Sequence, residues 1–377
     1  MEKYFIGTLN NISQVGLSKL TENYELVEDV DKANGIIVRS FKMHDMDFSE
    51  NLLAIGRAGA GVNNIPLEKC ADQGIVVFNA PGANSNAVKE LVLAALIMGA
   101  RNMYEGISWA NTLEGDDVST AVEKGKKNFA GTEISGKTIG IIGLGAIGAK
   151  IANSCEALGM NVCGYEAFRP HPCLTADVKM FDDVTEMVKE CDFVSIHVPS
   201  LPATKGMINK DLIANMKDGV IILNFARPDL VVVDDIKAAL EAGKIRKYMT
   251  DLANEETIGV PGIVATPHLG ASTAEAEENC AVMAAEELMD YLGCGNIRNS
   301  VNFPAVSLDC IEGTKKVCVL YKDAEDKAEE IKAFYGDCLV EMASGKRGDY
   351  GYVICAVKSG CPNVFEAPYV VRTRVIG

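Results

Sequence analysis

Three glycines in the stretch GIIGLGAIGAKIA are spaced so that they could hold a phosphate group: Gly143, Gly145 and Gly148 form the pattern G-x-G-x-x-G. An apolar run that predicts a strand precedes them, and a stretch that predicts a helix follows. In this setting the first glycine allows a tight turn, the second lets a pyrophosphate approach the backbone, and the third packs the helix against the strand. The pattern predicts a dinucleotide site that includes Ala146 and Ile147. A glycine turn without a ligand is the simpler alternative.

An acidic residue follows at the position where such a site needs one. Glu166 ends the predicted strand NVCGYE, eighteen positions after Gly148. A carboxylate there can bind both ribose hydroxyls and would repel a 2′-phosphate, which favours NAD over NADP. Arg169 lies three residues further on and weakens that preference, because an arginine can accept a 2′-phosphate.

Three other polar residues follow predicted strands in the same part of the chain: Arg227 in LNFARPDLV, Glu256 in DLANEET and His268 in TPHLGAS. The carboxyl ends of strands are where open α/β sheets hold ligands. Taken singly, each has an ordinary explanation. Arg227 could be a loop cation, Glu256 a solvated surface residue, and His268 a cap for the helix after it.

Composition limits the classes of protein that need to be considered. With 377 residues, 48% of them apolar and 23% charged, the chain is long enough for two or three domains with real cores. A net charge of −16 repels nucleic acid and anionic membrane surfaces. We expect no signal peptide, and the longest apolar run, ELVLAALIMGA, is too short to cross a bilayer.

The cysteines predict a reducing, cytoplasmic location. Twelve are scattered singly and no C-x-x-C pair occurs. A disulfide scaffold would be small and cysteine-dense, and a zinc site would show close ligand pairs. We therefore expect neither a disulfide nor a metal site.

The order of predicted elements indicates an α/β fold with two doubly wound, Rossmann-like domains, the second inserted in the first. Buried strands alternate with helices in both halves of the first three hundred residues, which favours parallel sheets. We assign 1–95 with 285–305 to a flavodoxin-like substrate domain and 96–284 to a nucleotide domain. The composition changes after Leu308, and 306–377 is predicted to be a small α+β module.

Several segments, in this order along the chain, resemble the D-isomer-specific 2-hydroxyacid dehydrogenases. They run from about Arg39 to Thr273. The segments that carry the resemblance are GRAGAGVNNIP, NAPGANSNAVKE, KNFAGTEISGKTIGIIGLGAIG, HVPSLPATKGMIN, LNFARPDLVV and TPHLGAST.

The resemblance implies that Arg227, Glu256 and His268 form a catalytic set and that NAD is the cofactor. The residue types fit the reaction. A histidine that titrates near neutrality can take the hydroxyl proton, a carboxylate can orient its ring, and an arginine can bind the substrate carboxylate. The resemblance also implies a cofactor pocket formed by His197, Pro199, Thr204, Ala226, Asp251 and Gly270. His44 and His171 have no such match, and we expect them to be surface residues.

The substrate end of the site is expected near the amino-terminal glycine turn. The turn at Ala58, Gly59 and Ala60 could point backbone amides at a carboxylate. The cations that could bind a phosphate are Arg39, Lys42 and Arg57, although Lys42 is equally well explained as a solvated side chain.

Three departures from the family pattern concern substrate identity more than reaction class. They are Pro228-Asp229 where a glycine pair is usual, Asn63 where an aspartate is usual, and Thr257 where a proline is usual.

The resemblance implies oxidation of a small phosphorylated 2-hydroxy acid, D-3-phosphoglycerate, to 3-phosphohydroxypyruvate, the first step of serine biosynthesis. A glyoxylate/hydroxypyruvate or D-lactate-type reductase is the alternative enzyme. A non-catalytic NAD-sensing partner protein on the same fold is the alternative from another class. The family implies at least a dimer, formed through the nucleotide domain between about Arg101 and Ile134. It also implies an ACT-like regulatory or assembly role for the C-terminal module.

Overall fold

The computed structural model describes residues 3–377, and the chain divides into two compact units. The first is built from Met1–Asn84 and Ala274–Gly377, and the second from Ser85–Thr273. The second unit is thus inserted in the sequence of the first. The predicted boundaries at 96 and 284 fall inside two long helices, whereas the units divide before both helices.

Eleven α-helices lie in the described part of the chain. They are α1 Gln14–Leu17, α2 Leu67–Asp72, α3 Ser85–Arg101, α4 Met103–Ala110, α5 Val118–Gly125, α6 Ala146–Ala157, α7 Val184–Val188, α8 Lys210–Asn215, α9 Val233–Glu241, α10 Ala274–Cys294 and α11 Ala328–Tyr335. Single 3-10 turns occur at Val30–Lys32, Lys126–Phe129, Pro228–Leu230 and Gly336–Cys338.

The first unit contains a five-stranded parallel sheet in the order β2-β1-β3-β4-β5. Its strands are β1 Tyr4–Leu9, β2 Tyr24–Val27, β3 Gly35–Val38, β4 Ala54–Arg57 and β5 Val76–Asn79. Helix α10 packs closely against it, because a Cβ at Gly56 would lie 3.0 Å from the backbone oxygen of Ala284. The small side chains of Ala281, Ala284 and Ala285 on α10 are buried in this contact.

The second unit contains a seven-stranded parallel sheet in the order β12-β11-β10-β9-β6-β7-β8. Its strands are β6 Thr138–Ile142, β7 Asn161–Tyr165, β8 Val178–Phe181, β9 Phe193–Ile196, β10 Val220–Asn224, β11 Ile245–Thr250 and β12 Ile263–Ala265. Strands β9 and β10 are buried throughout, as expected for central strands covered by helices on both faces. The predicted Rossmann-like α/β fold is confirmed.

The C-terminal part of the first unit is a four-stranded antiparallel sheet in the order β14-β15-β13-β16. Its strands are β13 Thr314–Lys322, β14 Leu339–Arg347, β15 Tyr350–Lys358 and β16 Val370–Ile376. Helix α11 buries Ile331 and Tyr335 on this sheet, with Phe365 in the same cluster. The α+β character predicted for 306–377 is therefore present.

The carboxyl end of α10 is held by side chains from this antiparallel sheet and from β2. Arg374 donates to the carbonyl oxygens of Tyr291 at 3.1 Å and Leu292 at 2.7 Å. Lys316 donates to Cys294 at 2.9 Å, Tyr352 to Gly295 at 2.6 Å and Tyr24 to Met289 at 3.0 Å. The last carbonyls of a helix have no partner within it and favour cations. We call these four side chains the α10 clamp.

One expectation from the sequence was wrong. Cys338 and Cys361 form a disulfide, although no disulfide was predicted. The fold brings the start of β14 next to the loop before β16, so two cysteines 23 residues apart become neighbours. The stretch after Arg101 contains α4 and α5, where Trp109 packs on Phe129 and covers Gly125. No helix among the described residues has the length and apolar character to cross a membrane.

Glu287 is a buried acid on α10 that the fold keeps away from water. It is 8% exposed, and one carboxylate oxygen accepts a hydrogen bond from Asn299 at 2.6 Å. The other oxygen is buried and has no hydrogen-bond partner. Burial raises the pKa of Glu287 to about 7, because the charged form loses its hydration.

We therefore expect stability to depend on pH through Glu287. The folded state binds this proton more tightly than the unfolded state, so the contribution is complete below the unfolded pKa. It is lost as the pH rises to about 7, and it amounts to about 3 kcal/mol at most. Urea unfolding between pH 4.5 and 7.5 should show this slope in the wild type and in the Glu275→Gln control, which changes an exposed acid of the same helix. It should be reduced in Glu287→Gln, and an equal slope there would contradict the assignment.

Candidate active site

The glycine turn after β6 has the geometry that the sequence pattern predicts. Gly143 has φ +94°, and a Cβ there would lie 2.8 Å from the backbone oxygen of His197. A Cβ at Gly148 would lie 2.0 Å from the oxygen of Gly143, so only glycine fits. A Cβ at Gly145 would meet no atom within 4 Å. Packing therefore requires the first and third glycines, whereas space stays open above the second.

Glu166 lies beside this turn because β7 pairs with β6. One carboxylate oxygen accepts from the N–H of Leu144 at 2.7 Å, and the other accepts from the N–H of Phe168 at 3.1 Å. Each oxygen retains a lone pair for a further donor such as a ribose hydroxyl. Helix α6 begins at Ala146, so its first N–H groups lie at the open side of Gly145. These residues fit a dinucleotide.

Three strand ends lie next to one another in the same unit, because β10, β11 and β12 are neighbours in the sheet. Arg227 follows β10, Asp251 follows β11, and His268 follows β12. Arg227 and His268 are exposed, whereas Asp251 is 1% exposed. The fold thus brings together two exposed groups that can act on a ligand and one buried carboxylate.

Asn224 positions the loop that carries Arg227. Its side chain is fully buried and donates to the carbonyl oxygen of Arg227 at 2.9 Å. Its amide oxygen accepts from the N–H of Ala226 at 3.1 Å, and its nitrogen also donates to the Tyr248 hydroxyl. The arginine side chain donates to the oxygen of Ala226 at 2.7 Å. Asn224 was not predicted as a site residue, although a polar residue directly after the apolar run GVIIL was a usable signal.

Asp251 is the carboxylate whose charge is coupled to the two exposed groups. One oxygen accepts from the N–H of Gly270 at 2.8 Å, and the other is buried without a partner. Burial raises the pKa of Asp251, while the Gly270 N–H and the charges of His268 and Arg227 act in the opposite direction. Gly270 is needed here because its Cβ would lie 3.0 Å from the carboxylate.

Glu256 is not joined to His268 in the described structure. Its side chain is exposed, and no hydrogen bond or ion pair connects the two side chains in residues 3–377. Glu256 instead lies in a turn closed by Asn254, whose side-chain oxygen accepts from the N–H groups of Glu256 and Thr257. The N–H of Thr257 also bonds the Asn254 carbonyl. A proline at 257 could donate neither bond, which explains that departure from the family pattern.

The predicted cofactor residues after β9 have well-defined partners. The Nε2 atom of His197 lies 2.7 Å from the Ser195 hydroxyl, and its Nδ1 atom is buried without a partner. Burial lowers the pKa of His197 to about 3, so the ring is neutral. The Thr204 hydroxyl donates to the carbonyl of Pro199 at 2.7 Å and accepts from the N–H of Leu201. Both of these bonds close the local turn.

In the first unit, the predicted substrate cations follow adjacent strands. Val38, the last residue of β3, pairs in register with Arg57, the last residue of β4, so Arg39 and Arg57 lie at the same sheet edge. The Arg57 side chain folds back over Gly59, where a Cβ would lie 1.4 Å from its Nη1 atom. Arg39 forms an ion pair with Glu277 of α10 at 2.5 Å. No sequence signal connected these residues, which are 238 positions apart.

The other residues predicted to bind the substrate are Lys42, Ala58 and Ala60, and they differ in exposure. Lys42 is exposed. Ala58 is buried, Ala60 is exposed, and the Asn79 side chain donates to the Ala60 carbonyl at 2.6 Å. No cluster of His, Cys, Asp or Glu in residues 3–377 is arranged to hold a metal ion.

Residues 93–270 match the model of the NAD-binding domain of D-isomer-specific 2-hydroxyacid dehydrogenases. A D-3-phosphoglycerate dehydrogenase from Haemophilus influenzae is 32% identical over 383 residues, which cover 95% of this chain and 90% of that protein. The chain belongs to the D-isomer-specific 2-hydroxyacid dehydrogenase family. A D-3-phosphoglycerate dehydrogenase from Methanocaldococcus jannaschii is 35% identical over 80% of this chain. The chain spans 58% of that relative, just over half of its length.

A solved structure supports the same placement in the 2-hydroxyacid dehydrogenase family. The NAD+-bound 3-phosphoglycerate dehydrogenase of Entamoeba histolytica aligns with a TM-score of 0.61 at 28% identity. The alignment covers 80% of this chain and 99% of that structure. NAD is the cofactor of this chain, and Gly143, Gly145, Gly148 and Glu166 are the residues whose geometry fits it.

The two glycines of the turn should respond differently to an added methyl group. Gly145→Ala should keep the wild-type melting temperature, because the methyl meets no protein atom, but should weaken NADH binding by about tenfold or more. Gly148→Ala should destabilise the fold by roughly 2 kcal/mol, because its methyl overlaps the Gly143 oxygen. Calorimetric NADH titration and thermal unfolding measure both effects. Unchanged NADH affinity in Gly145→Ala would count against a pyrophosphate at this turn.

Proposed function

We propose that this chain is an NAD-dependent enzyme that oxidises D-3-phosphoglycerate to 3-phosphohydroxypyruvate, the entry reaction of serine biosynthesis. The family placement supports 2-hydroxyacid dehydrogenase chemistry. The names of the Haemophilus and Methanocaldococcus relatives and of the Entamoeba structure support the phosphorylated substrate.

The observation that carries the substrate assignment is the pair of guanidinium groups at adjacent strand ends. Arg39 and Arg57 lie at the same edge of a sheet in a chain with a net charge of −16. Guanidinium groups bind phosphate through paired, charge-assisted hydrogen bonds. Arg57 is the principal phosphate ligand in this proposal, because its side chain folds over Gly59 at the turn expected to meet the substrate. An unphosphorylated acid would not need this pair.

Proton transfer and substrate orientation are assigned to the exposed groups at the ends of β10 and β12. His268 takes the proton of the C2 hydroxyl during oxidation and returns it in the reverse direction. Arg227 binds the substrate carboxylate and polarises the C2 oxygen. Bound NAD supplies the acceptor for the hydride that leaves C2. Asn224 fixes the backbone of the loop that carries Arg227, so the guanidinium extends from a backbone with a fixed position.

Two carboxylates are candidates for stabilising the protonated histidine. The family pattern assigns the stabilising role to Glu256, and Glu256 keeps that role here. Asp251 is the carboxylate whose charge is coupled to His268 and Arg227 in the structure. Its Gly270 hydrogen bond also fixes the backbone two residues after the histidine. We therefore assign Asp251 to electrostatic support of the histidine, in addition to its expected place at the nicotinamide side.

The chain is also proposed to self-associate and to carry an ACT-like C-terminal module. Five exposed apolar side chains on α3, α4 and α5 support at least a dimer, and they are Ile97, Met103, Tyr104, Ile107 and Val118. The antiparallel sheet with α11 supports an ACT-like module. We also propose a cytoplasmic location.

Removing the Arg57 side chain should affect phosphorylated substrates alone. Arg57→Ala is expected to lower kcat/KM for 3-phosphohydroxypyruvate by about 10- to 100-fold, from the loss of a charge-assisted bond. Hydroxypyruvate and pyruvate should be reduced at rates that do not change. The rate of NADH oxidation, followed by absorbance, measures all three.

Lys19→Ala is the matched control, because it removes one exposed cation from the same unit without touching either strand end. Its rates should equal those of the wild type. Better use of unphosphorylated acids by the wild-type protein would instead identify a glyoxylate/hydroxypyruvate or D-lactate-type reductase.

Replacing His268 separates catalysis from cofactor binding. His268→Asn should lower kcat by about 10²- to 10⁴-fold while NADH affinity stays the same, because only proton transfer is lost. His44→Asn, a change at an exposed histidine, should retain full activity. Tight NADH binding without turnover of any 2-hydroxy or 2-oxo acid by the wild type would favour the NAD-sensing alternative.

A further inference from the structure

Cys294 and Cys310 are two free cysteines that lie on either side of a short turn of the chain. Cys294 is the last residue of α10, and Cys310 lies in the segment that leads into β13. Between them, the N–H of Ile297 donates to the carbonyl of Val306 at 2.8 Å, and the N–H of Val306 donates back at 2.9 Å. These paired bonds form an antiparallel bridge. The bridge brings the segment that contains Cys310 back to the end of α10.

Two buried polar side chains hold the returning segment against the helix end. Lys316 is buried and donates both to the carbonyl of Cys294 at 2.9 Å and to the carbonyl of Leu308. Asn296 is also buried, and its side-chain oxygen accepts from the N–H of Leu308 at 3.1 Å. Cys310 follows Leu308 by two residues. Its place beside Cys294 is therefore set by buried hydrogen bonds, which are costly to break.

The two thiols are neighbours as a result, and one of them is open to solvent. Burial is the main cause that raises the pKa of Cys294, and the Cys310 thiol raises it further through its charge and a side-chain hydrogen bond. Cys310 is the one exposed residue among the free cysteines of residues 3–377, and Cys294 is half-buried. Cys310 also lines an open cavity of about 370 Å³, so a small reagent can approach it.

We propose that Cys294 and Cys310 are a redox modification site, at which a small-molecule disulfide such as oxidised glutathione converts the two thiols into a protein disulfide. The thiolate of Cys310 attacks one sulfur of the reagent and releases one glutathione thiolate, which leaves a mixed disulfide on Cys310. Cys294 then loses its proton, and its thiolate attacks the Cys310 sulfur and releases the second glutathione. The protein gives up two electrons and two protons, and the reagent becomes two molecules of reduced glutathione. An excess of reduced thiol reverses both steps.

The new bond joins the end of α10 to the segment that enters the antiparallel sheet. The α10 clamp holds the same helix end through hydrogen bonds alone. A covalent link between positions 294 and 310 would restrict the unfolded chain and so stabilise the attachment of the C-terminal sheet. In a reducing compartment both thiols stay free, so the bond forms only under oxidising conditions.

Peptide mapping by mass spectrometry tests the site. Wild-type protein that is incubated with oxidised glutathione and then alkylated should give a peptide pair joined through Cys294 and Cys310. Reduced glutathione in excess should remove this pair. Cys294→Ser should stop at the mixed disulfide and keep one glutathione on Cys310. The oxidised wild type should also melt at a temperature higher by roughly 5 °C, and Cys294→Ser should show no such shift.

Cys173→Ser is the matched control, because it removes another half-buried free cysteine from the other unit. It should form the 294–310 bond at the wild-type rate. Wild-type protein that keeps glutathione on Cys310 and never forms the bond would overturn the proposal, since Cys310 would then be an exposed thiol without a partner. A melting temperature that falls on oxidation would overturn it as well, because the bond would then need a distorted chain. The reaction uses neither NAD nor a 2-hydroxy acid, so its outcome is independent of the proposed function.

Discussion

Helix α6 can start where it does because Gly148 lies directly against the carbonyl oxygen of Gly143. Any side chain at 148 would move the helix away from β6. The turn between them then has its second glycine open, its helix N-terminus free, and Glu166 bonded to its backbone. The site for pyrophosphate and ribose depends on this one contact between two residues without side chains.

The other half of the site depends on polar groups buried beneath exposed ones. Arg227 and His268 face solvent, but Asn224 and Asp251 hold the loops that present them. A buried amide or carboxylate that loses its partners costs about 1–3 kcal/mol or more, so these loops resist rearrangement. The fold thus fixes the backbones of Arg227 and His268, while their side chains stay exposed and can contact a ligand.

Much of the fold could be predicted from the sequence because its strands are short apolar runs separated by turn residues. The strand before the glycines and the strand NVCGYE were found at their predicted places as β6 and β7, and the glycine turn was located to the residue. Contacts between distant segments could not be predicted. The Arg39–Glu277 ion pair, the Cys338–Cys361 disulfide and the coupling of Asp251 to His268 have no local pattern. They arise only when sheet order brings separate parts of the chain together.

The α10 clamp has a consequence for the order in which the chain folds during synthesis. Residues 85–273 contain all seven strands of their own sheet and can become compact as soon as they leave the ribosome. The first unit cannot be completed then, because α10 is capped by Lys316, Tyr352 and Arg374, which are made after residues 85–273. The five-stranded sheet of the first unit therefore stays incomplete, and the carboxyl end of α10 stays uncapped, after the inserted unit has folded.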